Sequence, residues 1–79
     1  MSHYQYKGFN LLYKTNLCTE TNYYKAHGWV KLIKNDKTTV TQEFRTQSVS
    51  LINATEEIKH LMERYIDFEC QQYERLKSI

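Results

Sequence analysis

The sequence predicts one small α+β domain over residues 1–79: an antiparallel three-stranded sheet followed by a long C-terminal helix packed on one face. Three observations carry this. Residues 4–46 are rich in Tyr, Thr, Val, Ile, Phe and Trp, which suit a pleated surface. Residues 54–77 are dominated by Glu, Lys, Arg, Leu, Met and Gln, which favour helix. With no Pro and only 2 Gly, no stretch reads as a linker. At 79 residues and 41% hydrophobic content, the chain is too short for two cores and too apolar for a disordered one.

The first strand is expected from Tyr4 to Lys14. Alternation puts Phe9, Leu11 and Tyr13 on one face and Tyr4, Tyr6, Gly8, Asn10 and Leu12 on the other, with apolar residues on both. The polar run Thr15–Asn22 reads as a loop whose Asn and Thr side chains can bond nearby backbone. From Tyr23 to Lys34 the alternation is clearer. Tyr24, Ala26, Gly28, Val30 and Leu32 form an uncharged face and so the buried one, opposite Tyr23, Lys25, His27, Trp29, Lys31 and Ile33. Asn35-Asp36-Lys37 predicts a tight turn, since Asn and Asp tolerate left-handed backbone. A third strand follows over residues 38–47, with Val40 and Phe44 inward and Thr39, Thr41, Glu43 and Arg45 outward.

The helix is expected to begin at Asn53, with Asn53 as cap and Glu56 three residues on as in a capping box. At about 100° per residue, Ile58, Leu61, Met62, Tyr65 and Leu76 share a stripe flanked by Ile66, Phe68 and Tyr73. Glu69 and Gln72 interrupt it late, so the first three turns are the expected docking face.

One helix covers one face of a sheet, so function is sought on the other. The open face is expected to carry His27, Trp29, Lys31 and Ile33 from the second strand and Arg45 from the third. Tyr4 and Tyr6 join them if Phe9, Leu11 and Tyr13 point inward. Charge separates in the same sense: residues 1–53 hold 7 basic and 3 acidic side chains, residues 54–79 hold 4 and 6. Exposed Trp, Tyr and Ile in one patch point to a protein contact. The expected function is therefore a non-catalytic binding module, a regulatory or inhibitory accessory protein that self-associates as a homodimer or meets a larger protein partner. The alternative is weak single-stranded nucleic-acid binding, with aromatic rings stacking bases while Lys7, Lys31 and Arg45 track phosphates. The β-β-β-α order and size resemble those of some small antitoxin and phage-encoded inhibitor proteins.

Other classes find no support. Lys7-Gly8-Phe9 starts like an RNA-recognition signature, but Asn10 and Leu11 break it. His3, Cys18, His27, His60 and Cys70 are isolated, without metal-ligand spacing, so no metal or other cofactor is expected. There is no Gly-rich phosphate loop, GxSxG or HExxH. His27, with Glu43 near it across the hairpin, is the one acid/base candidate, and it reads more simply as a cross-strand polar pair. No apolar run has the length of a membrane span, the first residues lack a signal peptide's apolar stretch, and two thiols suit a reducing compartment. A cytoplasmic location is expected.

Overall fold

In a computed structural model, residues 1–34 and 37–77 are described, with the backbone alone at residues 33, 34, 37–41 and 72–77. Four strands run β1 Ser2–Tyr6, β2 Phe9–Cys18, β3 Tyr23–Lys34 and β4 Lys37–Ser48, followed by α1 Leu51–Lys77. The strands form one antiparallel meander in the order β1-β2-β3-β4, and α1 packs on one face. The α+β class and the sheet-then-helix order stand as expected, with four strands instead of three. At about 3.3 Å per strand residue and 1.5 Å per helix residue, β3, β4 and α1 are each about 40 Å long.

The additional strand arises at Lys7-Gly8. Both residues have positive φ, 48° and 86°, and Tyr6 pairs with Phe9. That is a two-residue hairpin, and its left-handed backbone matches the twist of the flanking strands. The predicted strand over 4–14 is thus two strands. The turn also reverses the parity relation, because paired residues share a face: Tyr4 lies opposite Leu11 and Tyr6 opposite Phe9.

β2 extends four residues past Lys14, so the predicted loop shrinks to Thr19–Asn22. There the Asn22 amide donates to the Cys18 carbonyl at 2.8 Å, and Asn22 is left-handed at φ 59°. The Thr21 hydroxyl accepts from the Tyr23 amide at 3.4 Å. The predicted turn at Asn35-Asp36 and the orientations expected for Ile33, Thr39, Val40, Thr41, Tyr73 and Leu76 lie outside the described residues and side chains. The β3–β4 register shifts between Val30 and Lys31.

The helix starts two residues before Asn53, and its cap is Ser50. The Ser50 Oγ accepts from the Asn53 amide at 3.0 Å, and the Ser50 carbonyl takes the first helical bond from Ala54. Only Val49 and Ser50 separate β4 from α1, so the helix begins at the first competent cap after the strand.

The core comprises Leu11, Ala26 and Val30 from the sheet and Ala54, Ile58, Met62 and Ile66 from the helix, all at most 2% exposed. The helical four recur at i+4, a row that drifts about 40° around the axis per step. The sheet follows that ridge, which buries Ile66, expected only as a flank, and leaves Leu61, expected in the stripe, 37% exposed. Tyr24, Phe9, Tyr13 and Phe44 border the core, and the Phe44 and Tyr65 rings meet edge-on at 5.6 Å. Gly28 lies under the helix, where Met62 and Ile58 occupy the space a Cβ would take.

Candidate functional site: the open face of the sheet

Tyr4 and Tyr6, expected on the open face, are on the helix side. The Tyr4 hydroxyl donates to Glu63 Oε2 at 3.1 Å, and the Tyr6 hydroxyl donates to Asp67 Oδ1 at 2.9 Å. Two strand residues advance about 6.6 Å and four helix residues about 6 Å, so the pairs line up rung on rung. Lys7 Nζ reaches the same Asp67 oxygen at 2.6 Å, and Lys59 Nζ lies 5.4 Å from the Tyr4 ring centre. The Lys7 ammonium, with help from the Tyr6 hydroxyl, holds the Asp67 carboxyl below the usual range. Burial, then the bond to Glu63, pushes the Tyr4 hydroxyl above its usual value.

The open face proper is set by the register. Lys14 of β2, His27 of β3 and Arg45 of β4 form one row across the sheet, and Leu12, Trp29 and Glu43 form the next. Glu43 Oε1 accepts the Trp29 indole N–H at 3.0 Å and also pairs with His27 Nε2. The His27 and Trp29 rings stack with centres 4.0 Å apart and planes 30° from parallel. Lys14 Nζ lies 5.7 Å from the Trp29 ring centre, a cation–π distance. One carboxylate therefore fixes both rings, and Trp29 is the chain's single tryptophan.

Beside this aromatic pair runs an open groove of about 480 Å³. The side chains on its open-face rim are Lys14, Asn16, Lys25, His27, Arg45 and Gln47. Three of them are fixed cations, two are amides, and the adjacent Glu43 is already engaged by His27 and Trp29. The acidic side chains Glu57, Glu63 and Asp67 belong to the helix layer, where Thr46, Tyr4, Tyr6 and Lys7 occupy them.

Of the expected site residues, His27, Trp29 and Arg45 are brought together, and Lys31 lies two residues along β3 from Trp29. The side chain of Ile33 is outside the description. Lys14, Asn16 and Gln47 were missed, as was Lys25 as a site residue. The Lys-Gly turn, read as such, would have fixed the parity of β2 and placed Lys14 and Asn16 on this face.

Cys18, at the hairpin end of the sheet, and Cys70, about 28 Å along the helix from its start, are both free thiols. Among the described residues no His, Cys, Asp and Glu cluster could hold a metal, and no helix is long and apolar enough to cross a membrane. No protein-family model, curated protein or solved structure matches this chain.

Proposed function

We propose that this chain is a non-catalytic binding module whose open sheet face receives an anionic partner. The single observation that carries the reading is the groove, where Lys14, Lys25 and Arg45 stand together with amide donors and the adjacent Glu43 is already engaged. Like charges on one concave surface raise the local concentration of an anionic ligand and steer its approach.

The same charges argue for a different partner over a second copy on this face. Two-fold pairing would set Lys14, Lys25, Lys31 and Arg45 against their own counterparts, a like-charge contact. A partner with an acidic surface turns that cost into attraction, and the module then acts by occupying and masking the surface it binds. His27 serves the binding role by holding the Trp29 ring, being engaged by Glu43 and stacked on the indole. Two free thiols at opposite ends of the fold suit a cytoplasmic location.

The test is a titration of Trp29 emission and of bound fraction with two polyanions, oligothymidylate and polyglutamate, against polylysine as control. At least one polyanion is expected to bind, polylysine is not, and Arg45→Glu should weaken the binding at least tenfold without lowering the melting temperature. Failure of both polyanions to bind sinks the reading.

A further inference from the structure

Resting on that reading, we infer that the anionic partner is single-stranded nucleic acid, with its phosphates along the Lys14–Lys25–Arg45 groove and one unpaired base on Trp29.

The spacing of the cations comes first. Lys14 and Arg45 are separated by one strand, His27 lying between them, and Lys25 is two residues from His27 along β3. With strands about 4.8 Å apart and about 3.3 Å per residue, the three backbone positions stand roughly 8–10 Å from one another. The three long side chains can gather on one anion or spread along the groove to successive charges of a polymer, and the neighbouring rings decide between the two.

The aromatic pair comes second, and it separates a nucleic acid from an acidic peptide. A peptide of Asp and Glu needs the cations only. A nucleotide also offers a flat ring next to each phosphate, and the Trp29–His27 stack adjoins the groove on the same face. Lys14 serves both parts. Its ammonium sits over the Trp29 ring in the free protein. On binding, it moves from the ring to a phosphate, and the base stacks on the indole face that His27 does not cover. Asn16 and Gln47 add neutral donors and acceptors within reach of sugar or base edges.

Single strands fit this surface and duplexes do not. The indole lies on a broad sheet face flanked by strands, so it meets only a base that has been turned out of a helix. Modest affinity with shallow sequence preference follows, because every base has a face that stacks.

The experiment measures binding of a 12-mer oligothymidylate, an oligouridylate of equal length, a duplex of equal length and polyglutamate of matched charge. The readouts are Trp29 emission and labelled-ligand anisotropy between 50 and 200 mM salt. Three cations on a single strand predict a log–log salt slope near −2, roughly a twentyfold loss of affinity over that range. Lys25→Ala and Arg45→Ala are each expected to reduce the slope by about 0.7, with melting temperature unchanged. Either single strand should quench Trp29, and the duplex should bind more weakly. Polyglutamate binding as tightly as the single strands overturns the nucleic-acid assignment and leaves the anion-binding module standing. Equal affinity for the duplex, binding without change in Trp29 emission, or a slope untouched by both variants overturns it as well. Binding of neither oligonucleotides nor polyglutamate overturns both.

Discussion

Gly28 lies directly beneath Met62: a Cβ added to Gly28 would come within 2.7 Å of Met62 Sδ and within 2.9 Å of Ile58 Cγ1. The backbone there is not left-handed, so the glycine is required by space and not by φ. Its cross-strand neighbours are Tyr13 and Phe44, two large rings that flank the helix where it touches the sheet. A close helix approach at this point needs a residue with no side chain.

Gly28→Ala should therefore destabilise the fold by about 1–3 kcal/mol through overpacking. For a domain of this size that corresponds to a melting temperature lower by about 4–8 °C per kcal/mol. Adding Met62→Ala should couple with it: the double variant is expected to lose less than the two single losses combined, because the new Cβ occupies part of the cavity. Urea titrations of the four proteins check this, and strict additivity would mean that the two side chains do not compete for space.

The helix cap gives a second comparison. Ser50→Ala should cost about 1 kcal/mol, the usual price of losing an N-cap oxygen. Asn53→Ala should cost clearly less, because Asn53 contributes its backbone amide to the cap and that amide survives the change. Equal losses would return the cap to Asn53.

The rungs between β1 and α1 predict a stability that narrows at both ends of the pH scale. Asp67 is held below its ordinary 3.8 by Lys7 and then Tyr6, so its contribution is full above that value and fades as pH falls through the lower folded one. Tyr4 is raised above its ordinary 10.0 by burial and then Glu63, so its contribution is full below pH 10 and fades as pH climbs above it. Asp67→Asn should flatten the acid limb and also lower the alkaline one, because the same carboxylate raises the Tyr6 hydroxyl and the Lys7 ammonium above their ordinary values. Tyr4→Phe should act on the alkaline limb alone, while costing about 1 kcal/mol at neutral pH for the lost hydrogen bond. Chemical denaturation from pH 2.5 to 11 separates the two.

Glu43 is a carboxylate on the open face beside the groove, engaged by His27 and Trp29. Glu43→Gln removes its charge while keeping an oxygen able to accept from the Trp29 indole. Affinity for the polyanion that binds should rise about two- to fivefold, the size expected of one partly exposed charge. Unchanged or weaker binding would place the ligand away from this row.

Much of the fold was legible in the sequence, for identifiable reasons. Period-2 alternation over 23–34 fixed which side of β3 is buried, and Ala26, Gly28 and Val30 are indeed buried. Phe44 lies inward, as its position on the third predicted strand required, and Glu43 meets His27 across the hairpin. The hairpin at Lys7-Gly8 was not legible, because apolar residues on both sides of the alternation over 4–14 hid the point where its phase reverses. That one turn moved Tyr4 and Tyr6 from the candidate site to the helix.

Local chemistry by itself thus determined the class of fold, the buried face of β3 and the separation of a basic sheet layer from an acidic helix layer. Tertiary structure decided the rest. Which of two competent side chains caps the helix depended on how soon the chain leaves β4. Which helix residues are buried depended on the sheet following the i+4 ridge, which buried Ile66 and left Leu61 out. Lys14, Lys25 and Arg45 share a groove only because the register of three strands brings them side by side, and register is a relation between distant segments that no single stretch of chain contains.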